Sequence, residues 1–293
     1  MQTLIVLALI GFVAQLVDGA LGMAYGATSS TLVLSAGYSP VVASASVHLA
    51  ELGTTLASGA AHWRFGNVDW RTVRRIGIPG ALGAFAGAIA LGRISAEAAK
   101  PWMAGILLLL GVYVLIRFSF RALEQREGRR YVRGRYLVPL GLVGGFVDAS
   151  GGGGWGPVTT PTLLASGRME PRKVVGSVDT SEFLVALAAS AGFLLALGGE
   201  VIARDVLLGL LFGGLAAAPV AAWLVRKVTP RLLGALVGGF IVLINARTIF
   251  GVTEETPVLR GWTYAAIVAV WLAGLTVVVR SHRRNGSPLV NAA

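Results

Sequence analysis

The chain has 293 residues, 55% of them apolar and 13% charged, against roughly 25% charged in an average soluble domain. In water it would have to hide more apolar surface than its interior can hold, so the composition excludes an ordinary soluble domain and fits a protein whose outer surface meets lipid. The net charge of +11 sits in short runs between apolar stretches with no basic groove interleaved with aromatics; it reads as a topology signal and not as a nucleic-acid surface. With no cysteine in the chain, disulfides, thiolate nucleophiles, Fe–S ligation and the usual structural zinc sites are all excluded.

In chain order, residues 2–36 form an apolar stretch broken at DGALGMAYG. It carries no Lys or Arg before its apolar run and no A-x-A cleavage site, so it reads as a retained segment and not a signal peptide. Full-length spans follow near residues 41–63, 73–92 and 98–118. A second interrupted stretch, 136–166, breaks at DASGGGGWGP into arms of about 13 and 11 residues, each too short to cross a hydrocarbon core about 30 Å thick. Further spans lie near 172–198, 203–225, 230–251 and 258–280. Each interrupted stretch is read as a re-entrant hairpin, whose broken backbone must be buried in protein or line a cavity.

The basic residues support this division. Runs at 64–75, 117–135, 168–173 and 226–231, with the tail from 280, hold 20 of the 25 Lys and Arg, and these are placed in the cytoplasm. The N-terminus is then outside and the C-terminus cytoplasmic. This assignment holds only if both hairpins enter and leave on one side.

The two hairpins also align. At an offset of 130, Gly11 pairs with Gly141, Asp18 with Asp148, Gly22 with Gly152, Tyr25 with Trp155 and Gly26 with Gly156. One inserted residue later, Pro40 pairs with Pro171, Ser46 with Ser177, His48 with Asp179 and Glu51 with Glu182. A hairpin plus three spans is an odd number of crossings, so the second repeat is inverted relative to the first. The expected fold is an all-α integral membrane protein: two inverted repeats, each a re-entrant helical hairpin plus three transmembrane helices, and one extra C-terminal transmembrane helix. Its parts are the first repeat (1–118), a basic cytoplasmic loop (119–135), the second repeat (136–251), and the extra helix with a basic tail (252–293).

The segments GLVGGFVDASGGGGWGPVTTPTLL and GFVAQLVDGALGMAYGATSSTLVL, with the Pro and Ser-x-Val blocks that follow them, resemble the TauE/SafE family of sulfite exporters and related organosulfonate permeases, over about residues 5–250. The resemblance implies a secondary transporter of small sulfur-containing or organic anions across the cytoplasmic (inner) membrane, with no enzyme activity. The first hairpin departs from the family's Gly-rich turn, which is complete in the second hairpin (Gly151–Gly154), whereas the first has Gly22, Met23, Ala24, Tyr25 and Gly26.

Two helix starts meeting at mid-membrane would make an anion site without a buried Lys or Arg, because each start presents free amides and a partial positive charge. The expected frame is the backbone of Tyr25, Gly26, Gly152, Gly153 and Gly156. Thr28, Ser29, Thr159 and Thr160 offer hydroxyls that either bind substrate or bond back to helical carbonyls, and Trp155 either walls the site or packs. A side chain at Gly153 would push into this site. Carboxyls inside apolar segments are costly; Glu51, Glu182, Asp18 and Asp148 are therefore candidates for proton coupling or for structural bonds, the Asp pair being placed to cap. His48 could share a proton with Glu51 one turn away, and Asp179 with Glu182. No cofactor or metal is expected; the partners are a small anion, protons and lipid. The pairs Gly83/Gly87, Gly209/Gly213 and Gly234/Gly238 suit close helix packing or, alternatively, a contact between copies in a homo-oligomer. Rival readings are a cation carrier using the carboxylates and a non-transporting membrane assembly partner. A membrane hydrolase would need a motif such as HExxH or GxSxG, and the sequence contains neither.

Overall fold

The computed structural model describes residues 2–21, 23–120, 134–166, 168–198, 202–224, 230–251 and 256–284, and the regular structure of these residues is helical throughout. The helices are α1 (Gln2–Leu21), α2 (Tyr25–Ser35), α3 (Pro40–Arg64), α4 (Trp70–Arg93), α5 (Ala96–Phe120), α6 (Gly134–Gly151), α7 (Trp155–Ala165), α8 (Pro171–Leu197), α9 (Arg204–Leu224), α10 (Pro230–Phe250) and α11 (Pro257–Arg284). Most of the expected loop 119–135, most of the basic run 226–231 and the end of the basic tail lie outside the described residues.

Among the described residues, five helices, α4, α5, α8, α10 and α11, are long and apolar enough to cross a membrane. The two other expected spans, α3 and α9, have 25 and 21 residues. The interior of α3 is polar, with Ser44, Ser46, His48, Glu51, Thr54 and Thr55 all buried. Local signals set the ends. Ser39 accepts from the Val42 amide at 3.3 Å ahead of Pro40, and Asp69 accepts from the Arg71 and Thr72 amides to start α4, both recognisable N-caps.

The hairpins differ from expectation in the length of their first arms. α6 runs 18 residues and α1 20, about 27 and 30 Å of helix, whereas α2 and α7 have 11 residues each, about 16 Å. α6 is longer than the sequence suggested because its helix begins before residue 136 and continues through Asp148 to Gly151. Its glycines do not break it; they let it lie against α4. A Cβ on Gly141 would fall on the Ile76 carbonyl, and one on Gly145 would overlap the Gly80 carbonyl.

Each hairpin is seated in helices of the other half. α1 lies along α9, and its sequence counterpart α6 lies along α4. One apolar core joins α1 and α2 to α9 and α10 through Leu7, Val17, Leu210 and Ile241. A second joins α6 and α7 to α4 and α8 through Leu137, Trp155, Ile76 and Val185. α3 packs on α8 and α5 on α10, so the two halves are interleaved. α11 lies at the periphery against α10 and α5, its Trp271 indole donating to the Ala235 carbonyl at 3.0 Å.

All three glycine pairs are used inside the chain. Gly83 and Gly87 of α4 face the Leu142 and Phe146 carbonyls of α6; Gly209 and Gly213 of α9 face Leu7 and Ala8 of α1; Gly234 and Gly238 of α10 face Phe118 and Leu115 of α5. Replacing Gly213 by Ala sets a methyl on the Ala8 carbonyl and is expected to destabilise by about 1–3 kcal/mol, the range for overpacking. Gly105→Ala makes the same chemical change in α5 with nothing within 4 Å of the new methyl; it should stabilise slightly, since Ala is about 0.5–1 kcal/mol better than Gly inside a helix. Melting curves in detergent followed by tryptophan fluorescence check this, and equal shifts for the two variants would deny the glycines a packing role.

Candidate functional site

Both hairpin breaks are built from backbone that ordinary residues avoid. In the second, Gly152 and Gly153 take φ of 75° and 142°, a region open to glycine at no steric cost. The first has Ala24 there instead, at φ 92°, which costs about 1–2 kcal/mol for an L-residue. The two breaks meet. A Cβ on Gly26 would lie 2.8 Å from the Gly153 Cα, and one on Gly156 would lie 2.9 Å from the Met23 Cβ. These contacts are reciprocal under the repeat alignment, since Gly26 matches Gly156 and Met23 matches Gly153. A side chain at Gly153 would overlap the backbone of Gly26 and Ala27, so this position holds the two turns together.

Carboxylates cap both second arms. The Asp18 Oδ1 accepts from the Tyr25 amide at 3.2 Å. Its counterpart Asp148 accepts on Oδ1 from the Gly154 and Trp155 amides at 2.6 and 2.9 Å. The hydroxyls beyond the caps divide into two sets. Ser29 donates to the Tyr25 carbonyl at 2.7 Å, and the matching Thr159 donates to the Trp155 carbonyl: both bond back one helical turn. Thr28 Oγ1 and Thr160 Oγ1 are buried with no hydrogen-bond partner among the described residues. Trp155 is fully enclosed; its Nε1 donates to the Val178 carbonyl at 3.1 Å and its ring lies against Gly80 and Val185, so the indole packs between α4 and α8. Tyr25 reaches α9, its hydroxyl donating to the Leu210 carbonyl at 3.2 Å.

The charged groups pair across the two halves and not along α3. His48 Nε2 is 3.1 Å from Asp148 Oδ2, with both residues buried, so the partner of His48 is Asp148 of the second repeat; no bond joins it to Glu51, one turn away in sequence. Its Nδ1 is 2.7 Å from the Ser44 carbonyl, and the Ser44 hydroxyl donates to the Ala149 carbonyl at 2.7 Å, fastening α3 to the end of α6. Asp179, the match of His48, accepts from Ser58 at 3.0 Å on Oδ1 while its Oδ2 is buried without a partner. Glu51 is 1% exposed, neither carboxyl oxygen has a partner, and Oε1 lies 2.9 Å from where a Gly26 Cβ would stand. Glu182 is half-buried in α8, in electrostatic reach of Glu51, Asp18, Asp148 and Asp179. Among the described residues no group of three or more His, Cys, Asp or Glu is placed to hold a metal ion.

Three further polar residues tie this centre together. Ser30 donates to the Gly152 carbonyl and Ser44 to Ala149, each bridging the halves. Asn245 of α10 donates to Thr31 at 3.0 Å. Asn245 was legible as a polar residue inside the apolar run FIVLINARTIF; the two serines were indistinguishable from neighbours that bond locally.

An all-helical chain with several apolar crossing-length helices around a buried polar centre is a multi-pass membrane protein. Residues 7–248 match the family described as sulfite exporter TauE/SafE, and the chain belongs to that family of membrane transporters. It is similar to the probable membrane transporter protein YtnM of Bacillus subtilis (strain 168), at 52% identity over 280 residues that cover 95% of this chain and 93% of that protein. No solved structure matches it.

The contact between α3 and α8 can be checked directly. A Cβ on Gly59 would stand 3.7 Å from the Thr180 Cβ, within the spacing of about 3.5–4.5 Å that disulfides use. In this cysteine-free chain the double variant Gly59→Cys/Thr180→Cys should lose maleimide labelling on mild oxidation and regain it with reductant. Persistent labelling of both thiols would contradict the α3–α8 packing.

Proposed function

We propose that the chain is a secondary transporter that moves a small sulfur-containing or organic anion (sulfite, thiosulfate, sulfonate or carboxylate type) across the cytoplasmic membrane, coupled to protons, by alternating access between two inverted repeats. The carrying observation is the meeting of the two helix breaks: α2 and α7 start against each other at the buried centre, with Glu51, Thr28 and Thr160 beside them and unpartnered. Helix starts favour anions, and discontinuous helices in inverted repeats are where secondary transporters place substrate. The reciprocal seating of α1 on α9 and α6 on α4 supports the repeat, and the charge distribution supports an outside N-terminus and a cytoplasmic C-terminus.

With the turns in contact there is no room for an anion between Gly26 and Gly153, so the substrate enters as the turns part. The frame expected from the sequence (Tyr25, Gly26, Gly152, Gly153 and Gly156) opens at this seam. Of the hydroxyls, Thr28 and Thr160 remain free to bind, whereas Ser29 and Thr159 are committed to carbonyls. Glu51 and Glu182, repeat mates in α3 and α8, carry the coupling protons: Glu51 is buried with both carboxyl oxygens unpartnered, and Glu182 lies in electrostatic reach of it. The oxidised Gly59→Cys/Thr180→Cys protein ties the halves together and should not transport.

The cation-carrier reading draws on the same buried carboxyls, and one measurement separates the two. Purified protein should be stabilised against heat by members of an anion panel (sulfite, thiosulfate, sulfonates, carboxylates) and not by a cation panel; the reverse pattern would assign the carboxyls to a cation. In proteoliposomes, Glu51→Gln and Glu182→Gln should retain anion binding and lose uptake driven by a pH gradient, and full gradient-driven uptake by both would remove proton coupling by this pair. Thr28→Val and Thr160→Val should weaken anion binding about tenfold, the scale of one lost hydrogen bond to a charged group, while Ser29→Ala and Thr159→Ala leave it within about twofold.

A further inference from the structure

We propose that Asp148 is the protein's own anion at the substrate site, holding the α7 amides that an incoming oxoanion takes, and that His48 is the cation shared by the two in turn. This rests on the anion-transport reading and names the group that reads the substrate's charge.

The geometry is that of a bound oxoanion. One carboxylate oxygen of Asp148 takes the Gly154 and Trp155 amides at 2.6 and 2.9 Å, and the other faces His48 Nε2 at 3.1 Å. The tautomer follows from the partners. His48 Nδ1 lies 2.7 Å from the Ser44 carbonyl, which can only accept, so Nδ1 carries a proton. Contact between Nε2 and Oδ2 then needs a second proton between them, since two bare acceptors would repel. The pair is neutral as a unit and fully enclosed. A sulfonate, sulfite or carboxylate has the same two-oxygen edge. With one oxygen on the two amides and another on the imidazolium, it would fit where Asp148 sits once that side chain swings away.

A second observation points to a ligand at this seam. Glu51 is 1% exposed and both its oxygens lack partners, and its Oε1 lies beside Gly26, whose own neighbour is Gly153. A protonated carboxyl there can donate to a further oxygen of an arriving oxoanion. The first hairpin lacks this equipment: Asp18 caps the Tyr25 amide, but the residue matched to His48 is Asp179, bonded to Ser58. An anion at that half would meet a carboxyl in place of an imidazole. One anion per chain follows, bound at the second half.

The test uses the full-length purified protein with ethanesulfonate and acetate as probes, affinity being read from concentration-dependent thermal shifts. Asp148→Asn keeps an oxygen for the amides and removes the competing charge, so it should bind the probes about tenfold tighter. His48→Gln should bind them about tenfold weaker, and Asp18→Asn should change affinity less than about twofold. A pair that serves structure alone would lower the melting temperature in both variants without moving affinity in opposite directions. Unchanged or weaker binding by Asp148→Asn overturns the exchange, as does tightening by Asp18→Asn. If unmodified protein binds neither these probes nor any other anion, the transport reading itself fails. Should Asp148→Asn not fold, the unmodified chain still decides: the imidazole nitrogen resonances of His48, one of three histidines, should shift on saturation with ethanesulfonate, and unmoved resonances overturn the proposal.

Discussion

A hydrocarbon interior supplies no water to an interrupted helix, and every amide freed by a break must find its partner within the protein. The rest of the structure follows from that constraint. Each break exposes helix-start amides, and each is met by the carboxylate that ends the preceding arm, Asp18 for α2 and Asp148 for α7. The carbonyl side is met across the seam, where Ser30 bonds Gly152 and Ser44 bonds Ala149. These bonds require the two turns to touch, and backbone contact at Gly26 and Gly153 provides it. The glycines along α1, α4, α6 and α9 extend the same requirement outward, since arms of this kind reach one another only if the helices beneath them lie close.

Seating each hairpin in the opposite half has a mechanical consequence. α1 is packed along α9 and α6 along α4 with backbones in close approach, so each hairpin is tied to helices of the other half. The hairpins themselves meet at a seam held by a few hydrogen bonds, the α3–α8 contact and the His48–Asp148 pair. On the proposed alternating-access reading, that seam is the gate, and the substrate is what replaces its internal bonds.

The helical, membrane-crossing class of the fold was legible because the bilayer writes strong rules into sequence: apolar runs of crossing length, with Pro and Asp or Ser at helix starts. Arm lengths were not legible, because an apolar run shows where hydrophobicity stops and not where the helix stops: α6 begins at Gly134, ahead of the apolar stretch, and continues through Asp148 to Gly151, inside the sequence that reads as a break. Hydroxyl roles were open too. Ser29 and Thr28 are adjacent and chemically alike, and each has a helical carbonyl one turn back, yet only the Ser29 hydroxyl bonds to it. The contact of His48 with Asp148 was not legible, because helical spacing points to Glu51, the nearest acid in sequence, and gives no sign of an acid one hundred residues away.

The asymmetry at the matched positions His48 and Asp179 bears on how such a site can release what it binds. A buried charge is tolerated only when paired, and around His48 the pairing is complete: amides, Asp148 carboxylate and imidazole satisfy one another. At the matched position in α8, Asp179 has one oxygen on Ser58 and the other on nothing. The two matched positions thus differ, the imidazole having a counter-anion and the carboxyl a single hydroxyl. If an external anion displaces the Asp148 carboxylate, negative charge is added to a centre that already holds Glu51, Glu182 and Asp179. The least costly compensation is a proton on one of those acids. Coupling between anion and proton would then come from electrostatics in a shared low-dielectric space, with no need for the two to touch.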